Sequence, residues 1–105
     1  MTKIIIKDDY GYNLDFFFKD NDNNVVDLTG LTITLKVREV GSTTTFLTEV
    51  CTIDSAILGT CYYTIKEGDF DTAGFYEYEL EAEDSGVKLI TAPGTELIKV
   101  KESIE

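Results

Sequence analysis

Three groups of side chains have residue types and spacings that suit chemistry. The first is Cys51 and Cys61, the chain's two cysteines. They fall on consecutive predicted strands, about equidistant from a turn near Ala56, so their sulfurs are expected close across the pair. Two readings stay open. One is a cross-strand disulfide closing a short loop, worth about 2–3 kcal/mol. The other is a pair of reduced thiols packed as small apolar groups. The strain of adjacent-strand bridges and the lack of an export signal favour the second. The second group is Asp20, Asp22 and Asn24, whose alternate oxygens match the first half of a calcium loop. The match then fails, because Val25 stands where the loop needs Gly and Leu31 where it needs a bidentate Glu. Asp and Asn are also ordinary turn residues, and a turn is the favoured reading. The third group is Glu77, Glu79, Glu81 and Glu83, an acidic row on one face of a strand. Such a row either meets a basic partner or forms a solvated face, balanced by nearby lysines, that discourages edge pairing. The solvated face is favoured.

What is missing narrows the chemistry further. The chain has no His. That removes the usual general base near neutral pH and the commonest metal ligand. Ser-His-Asp and Cys-His catalysis go with it, and two Cys without His do not make a zinc site. The eight Gly are scattered singly, with no Gly-x-Gly-x-x-Gly and no Walker loop. Acid pairs of glycosidase type could be drawn among the 20 Asp and Glu, but nothing fixes two of them in a pocket. The residues read as a domain that is not an enzyme and takes no cofactor.

The elements that position these groups follow from composition and period. A chain of 105 residues is one domain, 1–105, with its core expected within 12–100. Hydrophobic residues are 43% and charged residues 28%, which argues for a packed core rather than disorder. Lys and Arg total 9 against 20 acids, a net charge of -11. Such a chain repels phosphate backbones and anionic lipid, so neither nucleic acid nor a membrane surface is an expected partner. No apolar run approaches the roughly 20 residues of a membrane-spanning helix. The apolar run at Ile4-Ile5-Ile6 is too short for a signal peptide. The protein is expected to be made and kept in a cytoplasm, or released by lysis.

Period two dominates the pattern. Over 31–38, Leu31, Ile33, Leu35 and Val37 alternate with Thr32, Thr34, Lys36 and Arg38. Over 75–83, Tyr76, Tyr78, Leu80 and Ala82 alternate with Phe75 and the acidic row. Further strands are expected at 3–7, 12–18, 45–53, 60–65, 87–91 and 95–100, with Leu14, Phe16 and Phe18 inward. Turns are expected at 20–24, 54–59 and 84–86, and a single helical turn could sit within 66–73. About eight short strands with no convincing helix predict an antiparallel sandwich or barrel.

Two segments carry a family resemblance. In the first, the polar run Asp20-Asn21-Asp22-Asn23-Asn24 precedes Val26-Asp27-Leu28-Thr29-Gly30 and the alternating strand to Arg38. In the second, Gly59 to Ile65 precedes Asp69-Phe70 and then Gly74-Phe75-Tyr76-Glu77-Tyr78. Together, over roughly 12–100, they resemble the immunoglobulin-like N-terminal domain of bacteriophage baseplate upper proteins and related immunoglobulin-like modules of phage virions. The resemblance implies an all-β, immunoglobulin-like antiparallel β-sandwich of seven or eight strands. Gly30 would turn the chain without a Cβ penalty. Gly74 and Tyr76 would form the corner in which a Tyr hydroxyl ties back to upstream backbone.

The implied role is structural, within a phage particle. Family members are usually the N-terminal part of longer chains, whereas this sequence stops after the domain. The expectation is therefore a small capsid-auxiliary or decoration protein located in the virion, with a tail or baseplate adaptor close behind. Partners would be other virion proteins or further copies of the chain. Ile4, Ile5, Ile6, Phe17 and Phe75 are candidate interface residues, because alternation forces some of them outward. A carbohydrate-binding module is the rival, with Tyr10, Tyr12 and Tyr62 as its loose aromatic candidates.

Overall fold

A computed structural model describes residues 2–94 and 96–104; Met1, Thr95 and Glu105 lie outside them, Thr95 with the start expected for the last strand. Nine strands form among the described residues: β1 (Thr2–Ile6), β2 (Asn13–Phe17), β3 (Thr32–Glu39), β4 (Thr45–Val50), β5 (Thr52–Ser55), β6 (Thr60–Thr64), β7 (Gly74–Asp84), β8 (Val87–Pro93) and β9 (Leu97–Lys101). They make two sheets. The larger has the order β1-β9-β7-β3-β4, with β8 also on β7, and the smaller is β2-β6-β5. Thus β2, β6 and β5 take the places of immunoglobulin strands B, E and D. Strands β3 and β7 take C and F, the broken pair β8/β9 takes G, and β4 extends that sheet. The expected sandwich forms, with nine strands rather than seven or eight.

Alternation sets the two faces. Ile33, Leu35 and Val37 of β3, Tyr76, Leu80 and Ala82 of β7, and Ile98 and Val100 of β9 are buried against Leu14, Phe16 and Phe18 from the β2 side and Cys61 and Tyr63 of β6. Each large apolar side chain so buried stabilises the fold by about 1.5–3 kcal/mol. Phe46, Phe70 and Tyr76 stack at one end, with ring centroids 4.7–6.3 Å apart. The Tyr76 hydroxyl donates to the Thr72 carbonyl at 2.6 Å, so the expected corner is in place. Gly74, at φ 152°, opens the strand that carries it.

Four expectations are corrected. The run 45–53 is two strands in two different sheets. The Cys51 N–H still donates to the Ile33 carbonyl of the larger sheet, while Thr52 already pairs with Tyr62 of the smaller. The sheet pairing is not wholly antiparallel, because β1 runs parallel to β9. Residues 66–73 hold a turn instead of a helical segment, with Asp69 N–H donating to the Lys66 carbonyl. Ile5 is fully buried and belongs to the core, not to an interface; Ile4 and Ile6 lie on the opposite face of the same strand.

Local hydrogen bonds explain the loop motifs. Asp27 Oδ1 accepts from both the N–H and the hydroxyl of Thr29, which holds the Asp27 carboxyl below its usual range and closes the turn before Gly30. Gly30 has φ 75° with open space where a Cβ would lie. Gly59, which the sequence reading did not single out as structural, is the tighter position. It has φ 68°, and a Cβ there would sit 2.9 Å from Val25 Cγ1 and from the Val26 carbonyl oxygen. Tyr63 donates to Asp69, whose carboxylate also accepts the Lys66 N–H.

Gly59→Ala is expected to cost about 2–4 kcal/mol and Gly30→Ala about 1 kcal/mol, read as urea-midpoint shifts at unchanged slope. Burial, and next the bond to Asp69, raise the Tyr63 hydroxyl above its ordinary 10.0. The unfolded chain therefore gives up that proton first. The stability this adds is present below pH 10 and is lost as pH rises through the folded value. Tyr63→Phe is expected to lower stability at neutral pH and to make its alkaline decline shallower, as measured by thermal unfolding across that range.

Candidate docking surface

The outer face of the larger sheet brings together apolar residues that are far apart in sequence. Phe75 pairs with Lys99, and Lys99 pairs with Ile4 on the far side. Val40 N–H donates to the Phe75 carbonyl at 3.0 Å, which extends the same row onto the end of β3. The row Val40–Phe75–Lys99–Ile4 thus crosses four strands, with its three apolar members about half exposed. The Lys99 ammonium lies over the Phe75 ring, 5.3 Å from its centroid, a cation–π contact. Ile6 lies one step further along β1, and Leu97 one step back along β9.

Among the expected interface residues, Ile4, Ile6 and Phe75 therefore share one surface. Phe17 does not. It lies on the outer face of the smaller sheet, 65% exposed, with the Lys19 ammonium 5.6 Å from its ring centroid. Val40 and Leu97 were missed. Leu97 could have been found from Leu97-Ile98, since adjacent apolar residues in a strand cannot both face inward. Val40 has no such signal, because its place opposite Phe75 is a matter of register.

Lys3 lies off this surface, its ammonium donating to the Asp15 carbonyl at 2.9 Å on the other side of β1. Lys99 and Lys101 of β9 share the outward side with Phe75, Ile4 and Ile6 of the row. Lys7 and Glu102 pair at its rim at 3.7 Å.

The acidic row of β7 lies on the same face, further along. Arg38 Nε contacts Glu77 at 2.6 Å, and Glu81 is reached by Lys36 at 3.1 Å and Lys88 at 3.8 Å. Glu81 is nearly buried beneath these partners. Cations from both flanking strands thus meet two of the four glutamates, Glu77 and Glu81. The Arg38–Glu77 pair is exposed and adds little to stability.

The remaining candidates resolve locally. Asp20 Oδ1 accepts from the N–H groups of Asp22 and Asn24, both at 2.9 Å. Its carboxylate holds a turn, while Asp22 and Asn24 face water. Among the described residues no group of three or more His, Cys, Asp or Glu is placed to hold a metal ion. Cys51 and Cys61 are free, buried thiols. The neighbouring Cys61 thiol, and then burial, push the Cys51 thiol up. Tyr62 stands on the outer face of β6 between Asp15 and Thr52, whereas Tyr10 and Tyr12 lie in the loop before β2. A groove of about 690 Å³ opens along the side between β2 and β8, floored by Phe16, Tyr78, Leu80 and Ala92. No protein-family model matches the chain, and a search of curated proteins finds no match.

The inside and outside of β1 give a direct check. Ile4→Ser is expected to change stability by less than about 0.5 kcal/mol, and Ile5→Ser to cost about 3–5 kcal/mol, in parallel urea titrations.

Proposed function

We propose that the protein is a non-enzymatic structural module of a bacteriophage virion. It acts as a small capsid-auxiliary or decoration protein that docks through the outer face of β7, β9 and β1. The observation that carries the docking part is the row Val40–Phe75–Lys99–Ile4, in which three half-exposed apolar side chains flank a lysine across four strands. Isolated exposed apolar residues need no explanation, but several gathered in one row of a charged face suit a contact. The phage assignment is supported by the resemblance to virion immunoglobulin-like modules and by the immunoglobulin sheet order. The absence of His supports a role without acid–base catalysis. The strongly acidic remainder faces water and keeps copies apart until they are seated.

Quantitative mass spectrometry of purified virions tests this reading. About one copy per capsid subunit or capsomer is expected. A handful of copies per particle would move the protein to the tail, neck or baseplate, and complete absence would overturn the virion role. In a phage carrying Phe75→Lys with Ile4→Lys, the copy number is expected to fall at least about tenfold, the loss of roughly 1.4 kcal/mol or more of docking energy. The melting temperature of the isolated variant should change little.

A further inference from the structure

We propose that Cys51 and Cys61 are an oxidisable dithiol that closes to an intramolecular disulfide and fastens the strand crossing between the two sheets. The proposal is independent of the docking role. Cys51 is the residue at which the chain leaves one sheet for the other. Its N–H is bound to Ile33 of the larger sheet, and the next residue pairs with Tyr62 of the smaller. Ile53 pairs with Cys61, so Cys51 lies two positions along the same inward side, a diagonal neighbour of Cys61. Both side chains are buried, at 6% and 1% exposure, on the same inward side of the pair. The chain has no third cysteine, so only one intramolecular pairing exists.

The chemistry is exchange with a low-molecular-weight disulfide such as glutathione disulfide. The Cys61 thiol gives up its proton and attacks one glutathione sulfur. A Cys61–glutathione bond forms, and the other glutathione leaves as a thiolate and takes up a proton. Cys51 then loses its proton and attacks the Cys61 sulfur, expelling the second glutathione. Two protein thiols are oxidised to one disulfide, and one glutathione disulfide is reduced to two thiols. Access comes through β5, a four-residue edge strand with a register irregularity, which is the kind of element that opens without global unfolding.

The test equilibrates the full-length protein in glutathione buffers from reducing to oxidising. Low urea is included in parallel samples so that burial does not block exchange. Intact mass, thiol titration under denaturing conditions and thermal unfolding are the readouts. The expected result is loss of two hydrogen atoms, joint disappearance of both thiols, no retained glutathione, and a melting temperature raised by roughly 5–10 °C. Cys51→Ala and Cys61→Ala should each abolish that rise and hold one glutathione at most. Two free thiols at the oxidising end in low urea would overturn the proposal. So would persistent glutathione adducts or disulfide-linked dimers of the unsubstituted protein.

Discussion

The eleven residues of β7 hold three neighbours at once. Residues 75–83 lie beside β3 or its extension, the first residues pair with β9, and the last six with β8. Because side chains alternate along a strand, this single element must supply an apolar wall on one side and a charged surface on the other. Tyr76, Leu80 and Ala82 form the wall. Phe75 and four glutamates form the surface. A slip of one residue would exchange the two sets, burying a row of carboxylates and exposing the corner tyrosine. The Tyr76–Thr72 hydrogen bond and the Arg38–Glu77 contact both resist that slip, one from inside the sandwich and one from outside.

The surface chemistry follows from the same register. Four like charges on alternate residues repel one another unless cations stand beside them. The facing strand supplies Lys36 and Arg38, and β8 supplies Lys88. Phe75, at the start of β7, falls beyond this stretch and beside Lys99 of β9. The apolar row and the outward lysines of β9 thus coincide because the acidic run of one strand stops where the lysines of another stand.

Much of this was legible in the sequence because period two is a local signal. The burial of Ile33, Leu35, Val37, Tyr76 and Leu80 could be read directly, as could the turn at Asp20, whereas the corner at Tyr76 was expected from the family resemblance. Features set by long-range partners were harder. The run 45–53 has no Gly or Pro at Cys51 to announce that its two halves join different sheets. The direction of β1 relative to β9 depends on which side of the sandwich the first strand reaches, which no local pattern encodes. Gly59 looked like one of several turn glycines; only the approach of Val25 and Val26 from another loop makes it restrictive. The candidate surface was legible in part for the same reason. Ile4 and Phe75 stood out as apolar residues with no inward place, but their adjacency is a product of pairing, with Lys99 between them.

The parallel pairing of β1 with β9 also decides how the domain bears load. The two strands lie side by side over five register pairs, from Thr2 beside Leu97 to Ile6 beside Lys101. The chain therefore enters β1 at one end of this pair and leaves β9 at the other, in a body 43 Å along its longest axis. Tension applied through those two points slides the strands past each other, so the backbone bonds between them are strained together instead of parting in succession. A hairpin pulled from its open end has no such protection. The arrangement is that of a link that resists stretching, in which mechanical strength comes from strand direction and not from the number of bonds.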